Sequence, residues 1–437
     1  MDELSRDGQT VLERLPDLPG GPELLDLAAA REDVELVGGA ARDLLLGRAP
    51  RELDVVVTGD SSSFAHALAL RLGVPAGGDT AQRDPDGRSG IAVHERFGTA
   101  LVRWEAGRID IASRRTESYP APGALPDVRA GTTEEDLRRR DFTVNAIAVL
   151  LGGSRKGQLS TVPHAREDLA AGRLRVLHER SFLDDPTRLL RLARYLARLG
   201  FEPEQRTAEL AGAALDAGAL TSVSGARIGT ELRLALNEPD PVAALVTMDE
   251  LGVMAALHPQ LRLPERVARG ALSLLAADGR GDLLLLGALL LSVIASSGED
   301  AQQVVLGLLD ELKFTASDRD RAIRAAVLAP DLVQELQDAY TPSLLREAVH
   351  AATLEAVALA GSLAEEQGLT KATANARRWL QALRHVRLQI TGDDLLAAGV
   401  PAGPEIGQRL ELALRRKLDG ELAEGREAEL RAAVEGL

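Results

Sequence analysis

Two regimes of hydrophobic spacing divide this chain. Up to about residue 150, short apolar runs alternate with turn-rich segments, and the spacing predicts strands at Val34–Val37, Leu53–Val57, Gly98–Trp104 and Arg108–Ala112. The stretches Gly77–Gly90 and Pro120–Pro126 read as loops. Thr132, with Glu135 three residues on, predicts a capping box that opens a helix running through Arg140. Beyond residue 165 the apolar positions recur at helical spacing nearly throughout, as in Leu189, Leu192, Ala193, Leu196 and Leu199. Breaks are expected at Gly200, Gly218-Ala219, Glu238-Pro239, Gly252, Pro259, Asp278–Gly281, Ser296–Gly298, Ala329-Pro330 and Thr341-Pro342. The pattern predicts an α/β head on a small mixed β-sheet, followed by an extended all-α neck, body and tail. The expected boundaries are 1–152, 153–260, 261–345 and 346–437.

Composition narrows the function classes. With 66 acidic and 51 basic residues the net charge is −15, which argues against non-specific wrapping of nucleic acid but leaves room for a local basic face. Lysine occurs only at 156, 313, 371 and 417, so the basic side chains are almost all arginine, whose planar fork suits phosphates and base edges. A coding bias toward arginine gives the same excess. The absence of cysteine excludes disulfides, thiolate catalysis and Cys-ligated zinc. None of the seven histidines is followed by Asp, which argues against a His-Asp phosphohydrolase. The acidic start MDELSRDGQTVLERL has no apolar signal core, so a cytoplasmic protein is expected. The longest apolar run, Leu283–Ala295, falls short of the roughly 20 residues of a bilayer span and reads as a buried core helix, so no membrane partner is expected.

The chemistry concentrates in VGGAARDLLLGRAPRELDVVV, Val37–Val57. A strand runs into Gly38-Gly39, then a short helix, then an apolar strand carrying Glu52 and Asp54. Residues two apart on a strand share a face, so these carboxylates lie side by side behind a turn whose backbone can approach a phosphate. Arg108-Ile109-Asp110-Ile111-Ala112 supplies a third carboxylate, Asp110, on another strand. Such carboxylates hold divalent ions in phosphoryl and nucleotidyl transfer. Each feature has a plainer reading: a solvated strand face, a simple strand-to-helix turn, and, for Asp185-Pro186, a helix N-cap with Pro at N1. Their order and spacing together favour the site.

Four segments in this order resemble the class II tRNA nucleotidyltransferases (the CCA-adding enzymes) and the bacterial poly(A) polymerases that share their head. A GGxVRDxLLGRxxxDxD-like motif spans Gly38 to Asp54. RRDFTxNA is matched at Arg139–Ala146, and (E/D)DPxRxLRxxRYxxRLGF at Asp184–Phe201. His94–Ala100, Arg115–Tyr119 with Pro122–Pro126, Ser224–Leu232, and Ile390–Leu395 with Gly403–Gly407 also resemble the family. The resemblance implies a nucleotidyltransferase-like head and transfer of CMP and/or AMP from CTP and ATP to the tRNA 3′ end, with pyrophosphate released by a two-metal mechanism using Mg²⁺. It implies Glu52 and Asp54 as metal ligands and Asp110 as the third catalytic carboxylate. Gly38, Gly39 and Arg42 would meet the triphosphate. Arg140, Asp141 and Asn145 would lie at the mouth of the nucleotide site. Asp184, Asp185, Arg188 and Arg191 would recognise the base, with Asp184, Arg188 and Arg191 on one helix face. The tail would bind tRNA, and no oligomeric state follows.

The chain departs from the family pattern at four places. Glu52 stands where Asp is usual and Asp184 where Glu is common. GQLSTVPHAREDL at 157–169 lacks the usual GxLIDPFGGxxDL glycines and aspartate, and Ala226 replaces a frequent Glu. The alternatives are a poly(A) polymerase, a partial CC- or A-adding enzyme whose choice lies in the Thr116–Gly131 loop, and a non-catalytic RNA-binding relative. A dinucleotide-binding oxidoreductase is disfavoured because no GxGxxG follows the first strand.

Overall fold

The computed structural model describes residues 3–75, 89–94 and 98–435. Most of the Gly77–Gly90 loop reading, and Glu95, Arg96 and Phe97 of the His94–Ala100 match, lie outside these residues. The chain forms two compact units, Met1–Val223 and Ser224–Leu437.

The first unit is built on a seven-stranded sheet. Its strands are β1 (Glu35–Val37), β2 (Leu53–Val57), β3 (Gly90–His94), β4 (Thr99–Trp104), β5 (Gly107–Ser113), β8 (Ile147–Leu150) and β9 (Leu159–Thr161), in the order β3-β4-β5-β2-β1-β8-β9. A separate antiparallel pair, β6 (Arg115–Ser118) and β7 (Asp127–Ala130), flanks it. The β2–β5 pairing is parallel and the other described pairings of the large sheet are antiparallel, so the sheet is mixed, as expected. All four expected strands form. The additional ones carried weak signals: β3 is an edge strand with no buried residue, and the fully buried Ile147–Leu150 has no alternation to separate strand from helix.

The helices of this unit are α1 (Glu3–Arg14), α2 (Gly21–Ala28), α3 (Gly38–Leu45), α4 (Ser61–Arg71), α5 (Thr133–Arg138), α6 (Ala165–Ala171), α7 (Ser181–Asp184), α8 (Thr187–Leu199) and α9 (Gln205–Asp216). Phe64, Ala65 and Leu68 of α4 join the core with Val55, Val57, Val102, Ile109 and Ile111 of the sheet. That burial fixes the register of β2 and β5, and with it the face their polar residues take. The capping box at Thr132 is present, Thr132 accepting from the Glu135 N–H and Glu135 accepting from the Thr132 N–H at 2.8 Å. The helix stops at Arg138 rather than Arg140. Past residue 165 the unit is not wholly helical, because Arg173–Leu174 (β10) pairs in parallel with Glu202–Pro203 (β11).

The second unit is all helical among its described residues. Leu283–Leu290 and Val293 of the helix Gly281–Ser297 are buried, so the long apolar run is a core helix, and no described helix is long and apolar enough to cross a membrane. Glu355, fully buried, is held by Arg321 and by the Arg280 N–H at 2.8 Å. The expected break at Ala329-Pro330 does not occur, and one helix runs from Ala316 to Asp338. Pro330 faces solvent while Ala322, Ala325, Ala326, Ala329, Leu332, Val333 and Leu336 bury the other face. Packing of that stripe outweighs the hydrogen bond that proline forfeits. Pro330→Ala restores the bond, and after the entropy that proline removes from the unfolded chain it should stabilise by about 1–2 kcal/mol. Chemical denaturation measures this, and a lower midpoint would show that proline at this position serves the packing.

Candidate active site

Alternation along two paired strands assembles the acidic cluster. Leu53, Val55, Ile109 and Ile111 point into the core, so Asp54 and Asp110 point to the opposite face. The two aspartates are register partners across the parallel β2–β5 pair. Glu52 precedes the first residue of β2 rather than lying within it, but keeps the same side. Glu52, Asp54 and Asp110 each place a carboxylate oxygen within 4.8 Å of the others, and each is partly exposed.

Three like charges at this spacing oppose ionisation. Burial, then the charges of Glu52 and Asp110, push the Asp54 carboxyl up to about 7, against the pull of Arg140 and Arg108. Burial raises Asp110 as well, partly offset by Arg108. The Arg108 guanidinium bridges the cluster, paired with Glu52 and lying 3.3 Å from Asp110 through the same nitrogen.

Gly38 and Gly39 form the first turn of α3 directly, with no separate turn between β1 and the helix. Gly38 has φ 67°, and a Cβ there would lie 2.7 Å from Arg140 Nη1. Glycine therefore lets the Arg140 side chain cross the start of the helix. Arg140 donates to Asp136 at 3.0 Å. The N-terminus of α3 carries neither a side-chain cap nor an acidic residue in its first turn, which leaves its amide dipoles suited to an anion.

Behind this face lies a buried polar chain that ties α3 to α8. Arg42, 1% exposed, donates to Asp43 at 2.7 and 2.8 Å and to the Asn145 side-chain oxygen. Asn145 donates to Asp141 at 2.9 Å, Asp141 pairs with Arg191 at 2.7 Å, and Asp43 pairs with Arg198 at 3.1 Å. Arg42 lies 5.4 Å from the Tyr195 ring centre, and Tyr195 meets Phe142 edge-on. Burial alone would raise Asp141, but Arg191, the Asn145 amide, Arg188 and the Phe142 N–H together hold it below the ordinary range. Removing one member strands a buried charge, which typically costs about 3–5 kcal/mol.

The structure brings the three carboxylates together and sets Gly38, Gly39 and Arg140 beside the start of α3. It does not put Asp141 and Asn145 at an open mouth, nor leave Arg42 open toward a triphosphate, because all three are buried and occupied with one another. Nor does it put Asp184 on the helix face of Arg188 and Arg191. Asp184 ends α7, paired with Arg180 at 3.2 Å, and α8 starts at Thr187. Pro186 breaks the continuity, and Asp185 accepts from the Thr187 N–H and hydroxyl at 3.1 and 2.6 Å, the capping role its sequence suggests. Arg188 is buried too, donating to the Ser181 hydroxyl and to the Arg139 carbonyl at 2.9 Å. Reading the motifs gave no role to Arg108, Asp43, Arg198 or Tyr195. Arg108 was in reach of the strand rule, since it shares the face of Asp110 two residues on.

An all-oxygen, partly exposed carboxylate set fits a hard divalent cation. The free carboxyl of Asp54 titrates near 7 against an ordinary 3.8, so folding takes up a proton between those values and metal-free stability falls as pH rises through that window. Metal binds the ionised form, so its affinity should climb with pH up to about 7 and then level off. Asp54→Asn should therefore raise the metal-free melting temperature at pH 8 and abolish the increment that Mn²⁺ gives the wild type. A lower metal-free melting temperature, or an intact increment, would contradict this placement.

The poly A polymerase head domain model matches residues 34–175, and the model described as the probable RNA and SrmB- binding site of polymerase A matches residues 200–263. The chain is 32% identical over 424 residues to the A-adding tRNA nucleotidyltransferase of Geobacter sulfurreducens, a match covering 94% of this chain and 46% of the relative. It is 38% identical over 234 residues to the CC-adding tRNA nucleotidyltransferase of Deinococcus radiodurans, covering 53% of this chain and 57% of the relative. It thus spans about half the length of the curated relatives it matches. Its fold is similar to the Thermotoga maritima CCA-adding enzyme complexed with tRNA_CCA, with a TM-score of 0.70 and 26% identity over 98% of this chain and 97% of the other. Residues 34–175 thus belong to the poly A polymerase head-domain family, and the chain as a whole is similar in sequence to A-adding and CC-adding tRNA nucleotidyltransferases and in fold to a CCA-adding enzyme.

Proposed function

We propose that this protein is a template-independent nucleotidyltransferase that transfers CMP and/or AMP from CTP and ATP to the 3′ end of tRNA, releasing pyrophosphate. The observation that carries the reading is the convergence of Asp54 of β2, Asp110 of β5 and Glu52 just before β2, beside the uncapped start of α3. The relatives' activities and the fold of the tRNA-complexed enzyme support it.

In this reading the carboxylates hold Mg²⁺, which when bound activates the attacking 3′-hydroxyl and neutralises charge on the leaving oxygens. The amides of the Gly38-Gly39 turn approach the triphosphate, and Arg140, crossing Gly38, adds positive charge on the same side. Arg42, Asp43, Asn145, Asp141, Arg191 and Arg198 fix α8 against α3, which sets where Asp185 and Arg188 stand relative to the carboxylates. Base choice falls to that segment and to the loop between β6 and β7, whose Gly123 N–H reaches the Leu183 carbonyl at 3.2 Å next to Asp184. The expected division of the chain into head to 152, neck to 260, body to 345 and tail is kept as part of this proposal, with the tail holding tRNA through a local arginine face.

The test supplies CTP and ATP separately and together to tRNA transcripts ending before CCA, after C and after CC. Extension that needs a divalent ion is expected, and Asp54→Ala or Asp110→Asn should lower it about a thousandfold or more, as loss of several kcal/mol of charge stabilisation requires. tRNA binding with no extension under any nucleotide would favour the non-catalytic reading. Long oligo(A) products from ATP alone would favour a poly(A) polymerase.

A further inference from the structure

Arg108 holds two of the three carboxylates that would bind a metal ion. One terminal nitrogen serves both Glu52 and Asp110, while the Nε is buried with no hydrogen-bond partner. Its cross-strand partner on β4 is Arg103, so two arginines stand on one face of the paired strands beside Asp110. Like charges directly opposite on paired strands repel unless an anion lies between or beside them. Arg108 and a divalent ion would both draw on the Glu52 and Asp110 carboxylates, and two cations held there together repel each other.

We propose that Arg108 is an exchangeable counter-ion. It neutralises Glu52 and Asp110 while the site is metal-free, is displaced as the divalent ion takes those oxygens, and then, with Arg103, holds phosphate oxygens of the incoming nucleotide. This rests on the metal-binding reading above. The exchange makes metal and nucleotide binding cooperative, because the ion that neutralises the carboxylates also frees a phosphate ligand. Arg108 is 41% exposed in its side chain, so displacement needs no opening of the core.

The test titrates Mn²⁺ by calorimetry into nucleotide-free wild type, Arg108→Gln, Arg108→Lys and Asp54→Asn, then measures KM and kcat for CTP and ATP. Arg108→Gln should bind Mn²⁺ about three- to fivefold more tightly than wild type, the worth of a partly exposed ion pair. Its metal-free melting temperature should fall, and its nucleotide KM should rise while kcat changes less. Arg108→Lys, which keeps the charge, should recover much of the KM. Unchanged or weaker Mn²⁺ affinity in Arg108→Gln overturns the exchange, provided wild type binds and Asp54→Asn does not. If wild type itself binds no Mn²⁺ at this site, the metal reading fails and the exchange falls with it. The Lys variant, with its charge intact, keeps the question answerable should the Gln variant unfold.

Discussion

Mutual repulsion among three carboxylates is the constraint on which this site depends. Two aspartates are locked side by side by the register of a parallel strand pair, and a glutamate joins them from the residue before β2. The core enforces the arrangement. Sliding β2 by one residue to relieve the repulsion would turn Asp54 inward, under α4, and carry Leu53 and Val55 out to solvent. Apolar burial therefore holds in place an electrostatic arrangement that is unfavourable by itself, and the unfavourable part is what a divalent ion relieves. Local strain of this kind, stabilised from elsewhere in the fold, is the common trade of stability for function.

Two arginines temper that repulsion differently. Arg140 is anchored to Asp136 and crosses Gly38, so it is a fixed part of the surface facing the cluster. Arg108 rises from the same strand face as Asp110 and holds the carboxylates directly. One cation is built into the scaffold and the other is exposed. A metal-dependent site needs both kinds: standing charge for an anionic substrate, and a temporary partner for acids that must later take an ion.

The cluster was legible because it is local. A period-two pattern on two short strands decides which residues share a face, and Glu52, Asp54 and Asp110 all follow it. The capping box at Thr132 and the core helix in the Leu283–Ala295 run were legible for the same reason. What failed to show depended on distant partners. Arg42 and Asn145 are 103 residues apart, and Asp43 and Arg198 are 155 apart, so no spacing rule joins them. Residues that matched a nucleotide-binding motif proved to be members of a buried clamp between α3 and α8. Asp184 was placed on the helix of Arg188 by counting turns through Pro186, where the chain restarts. Pro330 misled in the opposite direction, since a proline on the solvent side of a well-packed helix costs less than the packing it would have to interrupt.

The central claim is that Glu52, Asp54 and Asp110 act as one metal-binding unit. Anomalous diffraction from crystals soaked in Mn²⁺ with an unreactive CTP analogue tests it most directly. A peak at about 2.0–2.3 Å from oxygens of Asp54 and at least one of the other two carboxylates, with the Arg108 guanidinium moved off them, is the predicted result. Ordered nucleotide phosphates with no manganese on these oxygens, and Arg108 still bridging Glu52 and Asp110, would contradict it.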